Sequence, residues 1–347
     1  MIADIALDSG RLPATTPAAQ RVLTGDRPTG GLHLGHYFGT LVNRVRLQQQ
    51  GHELFVLVAD YQALTDRDRP VEVGERSLDI VLDYLACGLS PTATTVFAHS
   101  AVPALNQLML PLLSLVSTGE LDRNPTVKDE IAAAGRRSVS GLMLTYPVHQ
   151  AADILFCKAN LVPVGRDQLP HLELCRTLAR RFNDRYGPVF PLPHGLLGDV
   201  ALLAGLDGQK MSKSRNNAIG LTDGPDLVTA KVLAARTDSE RAITFEPDRR
   251  PEVANLLSIA GLCLGIQARA VPDQLGGGGA LALKQLVIDS VNALLGPIQL
   301  RRAQFDRGDA ADLLRQGGEH ARSIAEHTLR QVHQAMGMDY EGLYRGR

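Results

Sequence analysis

Six consecutive apolar residues, Leu54-Phe55-Val56-Leu57-Val58-Ala59, constrain this chain more than any other stretch. A run of that length has no polar face to turn toward water. It reads as a strand covered on both sides, the environment of a parallel sheet in an α/β protein. The flanks agree. Arg21-Val22-Leu23-Thr24 is a short buried strand running into a turn rich in glycine and proline. Leu34, Phe38, Leu41, Val42 and Val45 recur at helical spacing on the way to Gln50. Residues 71–88 read as a helix stopped by Gly88, and Thr94 to Ala98 as another buried strand. This alternation predicts an α/β, Rossmann-type parallel sheet with helices on both faces.

Between the first strand and the first helix lies Gly25-Asp26-Arg27-Pro28-Thr29-Gly30-Gly31-Leu32-His33-Leu34-Gly35-His36. That junction is the carboxyl edge of the sheet, where open α/β sheets bind ligands and a helix N-terminus favours phosphate. Gly25, Gly30, Gly31 and Gly35 let backbone approach a nucleotide, and the Thr29 hydroxyl is a phosphate donor. His33 and His36 are candidate ligand donors, although either can instead be a helix-cap partner. A second stretch, Leu202 to Asn217, centres on Lys210-Met211-Ser212-Lys213-Ser214 between Asp207-Gly208 and Asn216-Asn217. The flanking Gly and Asn mark a mobile loop, and two ammonium groups with two hydroxyls can wrap a polyphosphate. Taken alone, such a loop can equally be a solvated basic turn.

In the middle of the chain, Ala104 to Ser117 and Lys128 to Ala134 read as helices joined by Gly119 to Lys128. Tyr146, Gln150 and Asp153 fall at i, i+4 and i+7, on one helix face. A carboxylate on that apolar face needs a donor, either an N–H or arginine elsewhere in the core or a group on a ligand. Leu161 to Gln168 is a strand ending in a Gly-Asp-Gln turn, followed by a helix from His171 to Tyr186. That helix carries Arg176, Arg180, Arg181 and Arg185 on its polar side, ordinarily a solvated face. Beyond Asn217 the pattern is helical: 225–235, 251–263, 280–295 and a long amphipathic run around 297–336 interrupted by Gly317-Gly318. Gly276 to Gly279 is a flexible connector. Lys231, Arg236, Arg241, Arg301 and Arg302 on these helices could meet phosphate or only water.

At 347 residues the chain has room for two domains. Its net charge of −1 gives no overall basic field, so any nucleic-acid contact must come from a local stripe. Cys87, Cys157, Cys175 and Cys263 are scattered without a C-x-x-C, which argues against a disulfide framework or zinc site, and no metal site is expected. With no run of 18 apolar residues and no leader-like N-terminus, the sequence reads as cytoplasmic, with no membrane partner.

The two signature stretches together resemble the paired signatures of class I aminoacyl-tRNA synthetases. Tyr146-Pro147, Ala151-Ala152-Asp153-Ile154-Leu155 and Val162-Pro163-Val164-Gly165-Arg166-Asp167-Gln168 with His171 narrow the resemblance to the bacterial tryptophanyl-tRNA synthetases. Gly119-Glu120-Leu121, Thr237-Asp238-Ser239-Glu240 and Asn255-Leu256-Leu257 extend it from about Arg21 to about Gly337. The resemblance implies ATP-dependent activation of L-tryptophan to its adenylate and transfer to tRNA(Trp), with Mg2+ carried on the ATP phosphates. It implies His33, His36, Lys128, Lys210 and Lys213 as catalytic groups. The implied ATP site is Arg27, Pro28, Thr29, Gly35, His36, Gly165, Arg166, Asp167, Leu202, Lys210, Met211, Ser212, Lys213 and Ser214. The implied tryptophan pocket is Leu23, Gly25, Gln62, Tyr146, Gln150, Asp153, Val162, Val164 and Gln168, with Asp153 accepting the indole N–H. It also implies a homodimer and a division of the chain. A loose extension covers 1–20 and a catalytic domain 21–215, whose helical insertion at about 104–150 forms the dimer interface. A helical anticodon-binding domain covers 216–300, and a C-terminal helix over 301–347 packs back on the catalytic domain.

The departures point to a divergent subtype. The first signature reads His33-Leu34-Gly35-His36 where that family has Thr-x-Gly-Asn. Tyr61-Gln62-Ala63 replaces Gln-His-Ala, and Gln150 replaces a methionine. Tyr146, Gln150 and Asp153 also match a pattern of tyrosyl-tRNA synthetases, but Leu23 stands where those enzymes offer a tyrosine to the substrate hydroxyl. A nucleotidylyltransferase without tRNA is disfavoured by the helical tail. A catalytically silent regulatory paralogue is disfavoured by the intact His33, His36, Lys210 and Lys213.

Overall fold

The computed structural model describes residues 19–64, 72–134, 139–198, 203–209, 211, 215 and 217–340. Its centre is a five-stranded parallel sheet in the order β3-β2-β1-β4-β5. The strands are β1 (Arg21–Asp26), β2 (Glu53–Val58), β3 (Thr94–Ala98), β4 (Leu161–Val164) and β5 (His194–Leu197). The apolar run forms β2, between β1 and β3, with Phe55, Val56 and Val58 fully buried. β1 pairs with β2 on one side and β4 on the other, so chain direction across the sheet switches at β1/β4. β5 was not legible in the sequence: it is four residues at the sheet edge, largely exposed, with no alternating pattern to mark it.

The first helix enters as α1 (Leu34–His36), widens into a π-type turn over Tyr37–Leu41 and continues as α2 (Val42–Gln49). α3 (Val73–Ala86) follows β2. α4 (Ala104–Leu113), α5 (Thr118–Asp122), α6 (Pro125–Ala134) and α7 (Gly141–Phe156) connect β3 to β4, and α8 (Leu169–Tyr186) leads to β5. The segment expected to be a plain connector holds α5, which opens with a capping box between Ser117 and Glu120. α6 starts at Pro125, three residues before the expected helix, because proline is well placed in a first turn.

The remaining helices are α9 (Pro225–Leu233), α10 (Pro251–Leu264), α11 (Gly279–Arg302) and α12 (Arg307–Ala335). α11 is long and apolar enough by length and composition to cross a membrane. Here Leu283, Val287, Val291, Leu295 and Ile298 form its buried stripe, within a core shared with the sheet face and α3. Arg250, 3% exposed at the head of α10, donates to Asp238 at 2.6 and 2.7 Å, to the carbonyl of Ala242 and to Thr244. The Thr237–Glu240 stretch is thereby an anchor for that helix.

Gly317-Gly318 does not interrupt α12, contrary to expectation. A Cβ at Gly317 would overlap the Val96 carbonyl, so the glycine is where helix and strand touch. Thr328 of α12 donates to the Phe156 carbonyl at 2.7 Å, and Lys158 reaches Gln331 at 2.6 Å. The cysteines are free thiols among the described residues, and burial pushes Cys87 and Cys157 up to about 12, so both are unreactive at neutral pH.

Candidate functional site

The carboxyl ends of β1 and β4 flank the point where the strand order reverses, and Gly25 and Gly165 stand just there. β1 delivers Gly25, whose missing side chain is required by the sheet: a Cβ there would lie 2.5 Å from the Leu57 carbonyl oxygen. Below it Arg44, 1% exposed, donates to Asp26 at 2.6 Å, to Thr24 at 3.1 Å and to the Gly25 carbonyl at 3.3 Å. Tyr84 donates to Asp26 at 2.7 Å. Burial works against the Asp26 charge, but the Arg44 guanidinium outweighs it and holds the carboxyl below the usual range. The first signature is thus seated on a buried ionic anchor.

Gly30 takes φ 142, a backbone conformation open to glycine, and turns the chain toward α1. His33 caps that helix: its Nδ1 accepts the Gly35 N–H at 3.1 Å, while His36 Nδ1 accepts the His33 N–H at 3.3 Å. The cap reading of both histidines is therefore realised, and it adds to the ligand reading. A ring accepting at Nδ1 carries its proton on Nε2, so each imidazole presents an Nε2–H donor.

Met211 and the described residues on either side of the lysines come to the same place. Of the expected residues of that stretch Leu202, Lys210, Ser212, Lys213 and Ser214 lie outside the described residues; Met211 is described and buried. A Cβ on Gly35 would sit 3.2 Å from the Met211 sulfur. Beyond the loop, Leu34 N–H donates to Ile219 and Leu221 N–H to Leu32, at 3.0 Å each. Asn217 donates to Asp207 at 2.7 Å, and Asn255 of α10 holds the carbonyls of Ala204 and Gly205. Two segments about 175 positions apart in the sequence are thus locked side by side.

At the β4 edge, Gly165, Arg166 and Asp167 are exposed in the turn before α8, and Gln168 donates to Asp167 at 3.1 Å. Thr126 of α6 donates to the Asp167 carbonyl at 3.0 Å, placing Lys128, exposed on that helix, at the same edge. Arg27 donates to Gln62 at 3.4 Å and lies 5.7 Å over the Tyr146 ring, so Gln62 faces the site. Pro28 is buried and Thr29 exposed beside it. Leu23 and Val162 are buried in one apolar cluster, with Val164 packed against it, and Gln150 is half-buried.

Asp153, 1% exposed on α7, meets a donor from the core, one of the two answers the sequence left open. His99 Nε2 is 2.9 Å from Oδ2, while Oδ1 has no hydrogen-bond partner. Sequence reading missed His99 and His149, because a lone histidine has no local pattern; the signal was the buried carboxylate that needed a donor. Their Nδ1 and Nε2 atoms respectively are also buried without partners, and the group His99, His149 and Asp153 has ligand atoms within 4.8 Å of one another. His171, quoted in the family pattern without a role, is 2.9 Å from the Tyr146 hydroxyl and 3.4 Å from Asn124.

Three of the basic residues considered for phosphate are engaged inside the protein. Lys231 donates to Asp223 at 2.6 Å and to the Ala218 carbonyl, Arg301 to the Ala86 carbonyl, and Arg302 to Asp83.

Residues 16–275 match the family described as tRNA synthetases class I (W and Y). A tryptophan--tRNA ligase of Streptococcus agalactiae is 43% identical over 92% of this chain and 98% of its own length. The corresponding ligase of Treponema pallidum is 41% identical over 92% and 97%. Among solved structures, tryptophanyl-tRNA synthetase from Mycoplasma pneumoniae superimposes with a TM-score of 0.82 at 31% identity, covering 93% of this chain and 99% of that one. The Campylobacter jejuni enzyme, complexed with ADP and tryptophan, gives 0.79 at 29% identity over 91% and 99%.

Proposed function

The chain belongs to the class I tRNA synthetases of the tryptophan and tyrosine group, and from that premise we propose that it activates L-tryptophan with ATP and transfers the tryptophanyl group to tRNA(Trp). The observation that carries the choice of amino acid is the pairing of Asp153 Oδ1, a buried acceptor without a partner on the helix behind the β1/β4 crevice, with an apolar Leu23. An indole N–H answers that oxygen and leaves the rest of the ring to apolar neighbours. Leu23, buried in an apolar cluster, offers nothing to a phenol hydroxyl, so tyrosine is the poorer fit.

Activation joins the amino-acid carboxylate to the α-phosphate of ATP and expels pyrophosphate. Positioning and charge stabilisation suffice for such a step. Asp153 fixes the indole and so the carboxylate attached to it. The Nε2–H groups of His33 and His36, with Lys128, Lys210 and Lys213, stabilise charge building on the phosphates. Gly165, Arg166 and Asp167 form the edge against which adenosine rests. Magnesium would ride on the ATP phosphates and offset part of their charge there. We further read the protein as a cytoplasmic homodimer that forms its interface through the helices at about 104–150. On the same reading 216–300 recognises the anticodon.

ATP–pyrophosphate exchange with each of the twenty amino acids tests the assignment. Tryptophan should support exchange and tyrosine should not; the reverse pattern would sink it. Because the chain contains no tryptophan, fluorescence of the ligand also reports binding directly. Asp153→Asn should weaken tryptophan binding by about tenfold or more. Lys213→Ala should slow exchange far more than it weakens tryptophan binding.

A further inference from the structure

His99 is completely buried immediately after β3, between two carboxylates on different elements. On one side Asp153 Oδ2 of α7 is 2.9 Å from Nε2. On the other, Asp60 Oδ1 after β2 is 3.8 Å from Nδ1. Asp60 is itself fixed: it accepts the Tyr61 N–H at 2.9 Å and bonds the Ser100 hydroxyl and backbone N–H. The Tyr61 ring stacks on His99 with 13° between planes and centroids 6.1 Å apart. The His149 ring lies 4.6 Å from His99 and 6.3 Å from Tyr61, so the three rings form one cluster. Neither the imidazole nor the two carboxylates can turn without losing these contacts.

We propose that His99 is the positioning residue of the amino-acid pocket, donating Nε2–H to Asp153 Oδ2 so that Oδ1 alone is held out for the substrate's ring N–H. The inference rests on the reading of Asp153 as the indole acceptor. The Nε2–H donor is present in the imidazolium and in the neutral ring protonated at Nε2, so the bond to Oδ2 survives loss of the Nδ1 proton. Burial alone would lower the His99 pKa; Asp153 and then Asp60 outweigh it and raise it above the ordinary value. His149, whose pKa burial lowers, stays neutral and adds no second charge. From α8, Cys175 contributes a buried thiol whose pKa is pushed up, so it carries no charge either. Arg322 of α12 is spent on the Ala101 carbonyl. A metal on the same three side chains would have to break the His99–Asp153 bond, which the geometry already satisfies with a proton.

The test is tryptophan KM and kcat in ATP–pyrophosphate exchange for the wild type, His99→Gln and His99→Leu. His99→Leu removes the donor and should raise KM about tenfold or more with kcat moving far less, whereas His99→Gln keeps an N–H donor and should recover most of that loss. An unchanged KM in His99→Leu, or a KM in His99→Gln as high as in His99→Leu, would overturn the proposal. Absence of tryptophan-dependent exchange in the wild type would instead overturn the function it rests on.

Discussion

Arg302, in the last turn of α11, donates to the buried carboxylate of Asp83 on α3 at 2.9 Å, and the second oxygen of Asp83 accepts the Leu32 N–H of the first signature at 2.9 Å. One side chain therefore spans the C-terminal helices and the turn that presents His33. Asp83→Asn keeps the shape but sets an amide N–H against one of those donors. It should cost about 2 kcal/mol, discounted for the partial exposure of Arg302. The urea midpoint should fall and the ATP KM rise together, because the same bond orders Leu32. A lowered midpoint with unchanged ATP KM would show that the turn holds its shape without Asp83.

Arg44 and Asp26 make a different kind of link, a buried pair beneath the nucleotide edge. Arg44→Met should destabilise the protein by about 3–5 kcal/mol at neutral pH, since it strands a buried carboxylate. Asp26 has its pKa lowered in the folded protein, so its contribution is present above the ordinary value of 3.8 and is lost as pH falls through the lowered one. The gap between wild type and variant should thus be widest near neutral pH and narrow below about pH 4. Chemical denaturation across pH measures it; a constant gap would contradict the electrostatic origin.

Gly317→Ala separates local propensity from packing. In an exposed helix the change would add about 1 kcal/mol of stability. Here the new methyl collides with the Val96 carbonyl, so a loss of roughly 3 kcal/mol is expected. Gly318→Ala meets only the Ala101 side chain, at 3.0 Å, and should cost less. Equal melting temperatures for the two variants would mean that α12 is not seated on β3 through Gly317.

That glycine also shows where sequence reading stops. Two adjacent glycines carry a strong local signal for a break, and nothing within the helix reveals a strand more than 200 residues away that needs the space. The parallel sheet was legible because β2 is covered on both faces and its composition says so. β5 was not, because an exposed four-residue edge strand has no such imprint. The first signature marked Gly25, His33 and His36, and a carboxylate on an apolar helix face marked Asp153; the structure sets the first three around the β1–α1 junction and buries Asp153 on α7. His99 and Asp83 went unmarked, and His171 was quoted in the family pattern without a role, because what they do lies in pairings across elements. The capping box at Ser117 and Glu120 was present in the letters of the chain, but it opens a helix of only five residues, too short to leave a periodic pattern.

His171 provides the sharpest pH test of the pocket. It is 2% exposed, 2.9 Å from the Tyr146 hydroxyl and 3.4 Å from the Asn124 amide. Burial, aided by the positive charge of Arg27 and opposed by Asp167, brings its pKa down to about 4. The unfolded chain titrates this ring near 6.5. Between those values the unfolded state binds a proton that the folded state refuses, so stability falls as pH falls. The slope is about 1.4 kcal/mol per pH unit, for a total near 3 kcal/mol by pH 4. His171→Gln keeps an amide able to meet Tyr146 and Asn124 but removes the titration. His99 and His149 titrate in both proteins and cancel in the difference. Unfolding free energies from pH 7 to 4 should therefore diverge, with the wild type losing ground to His171→Gln on the acid side. Parallel curves would mean that His171 takes up its proton in the folded state as easily as in water, and that Tyr146 is held by something other than a neutral imidazole.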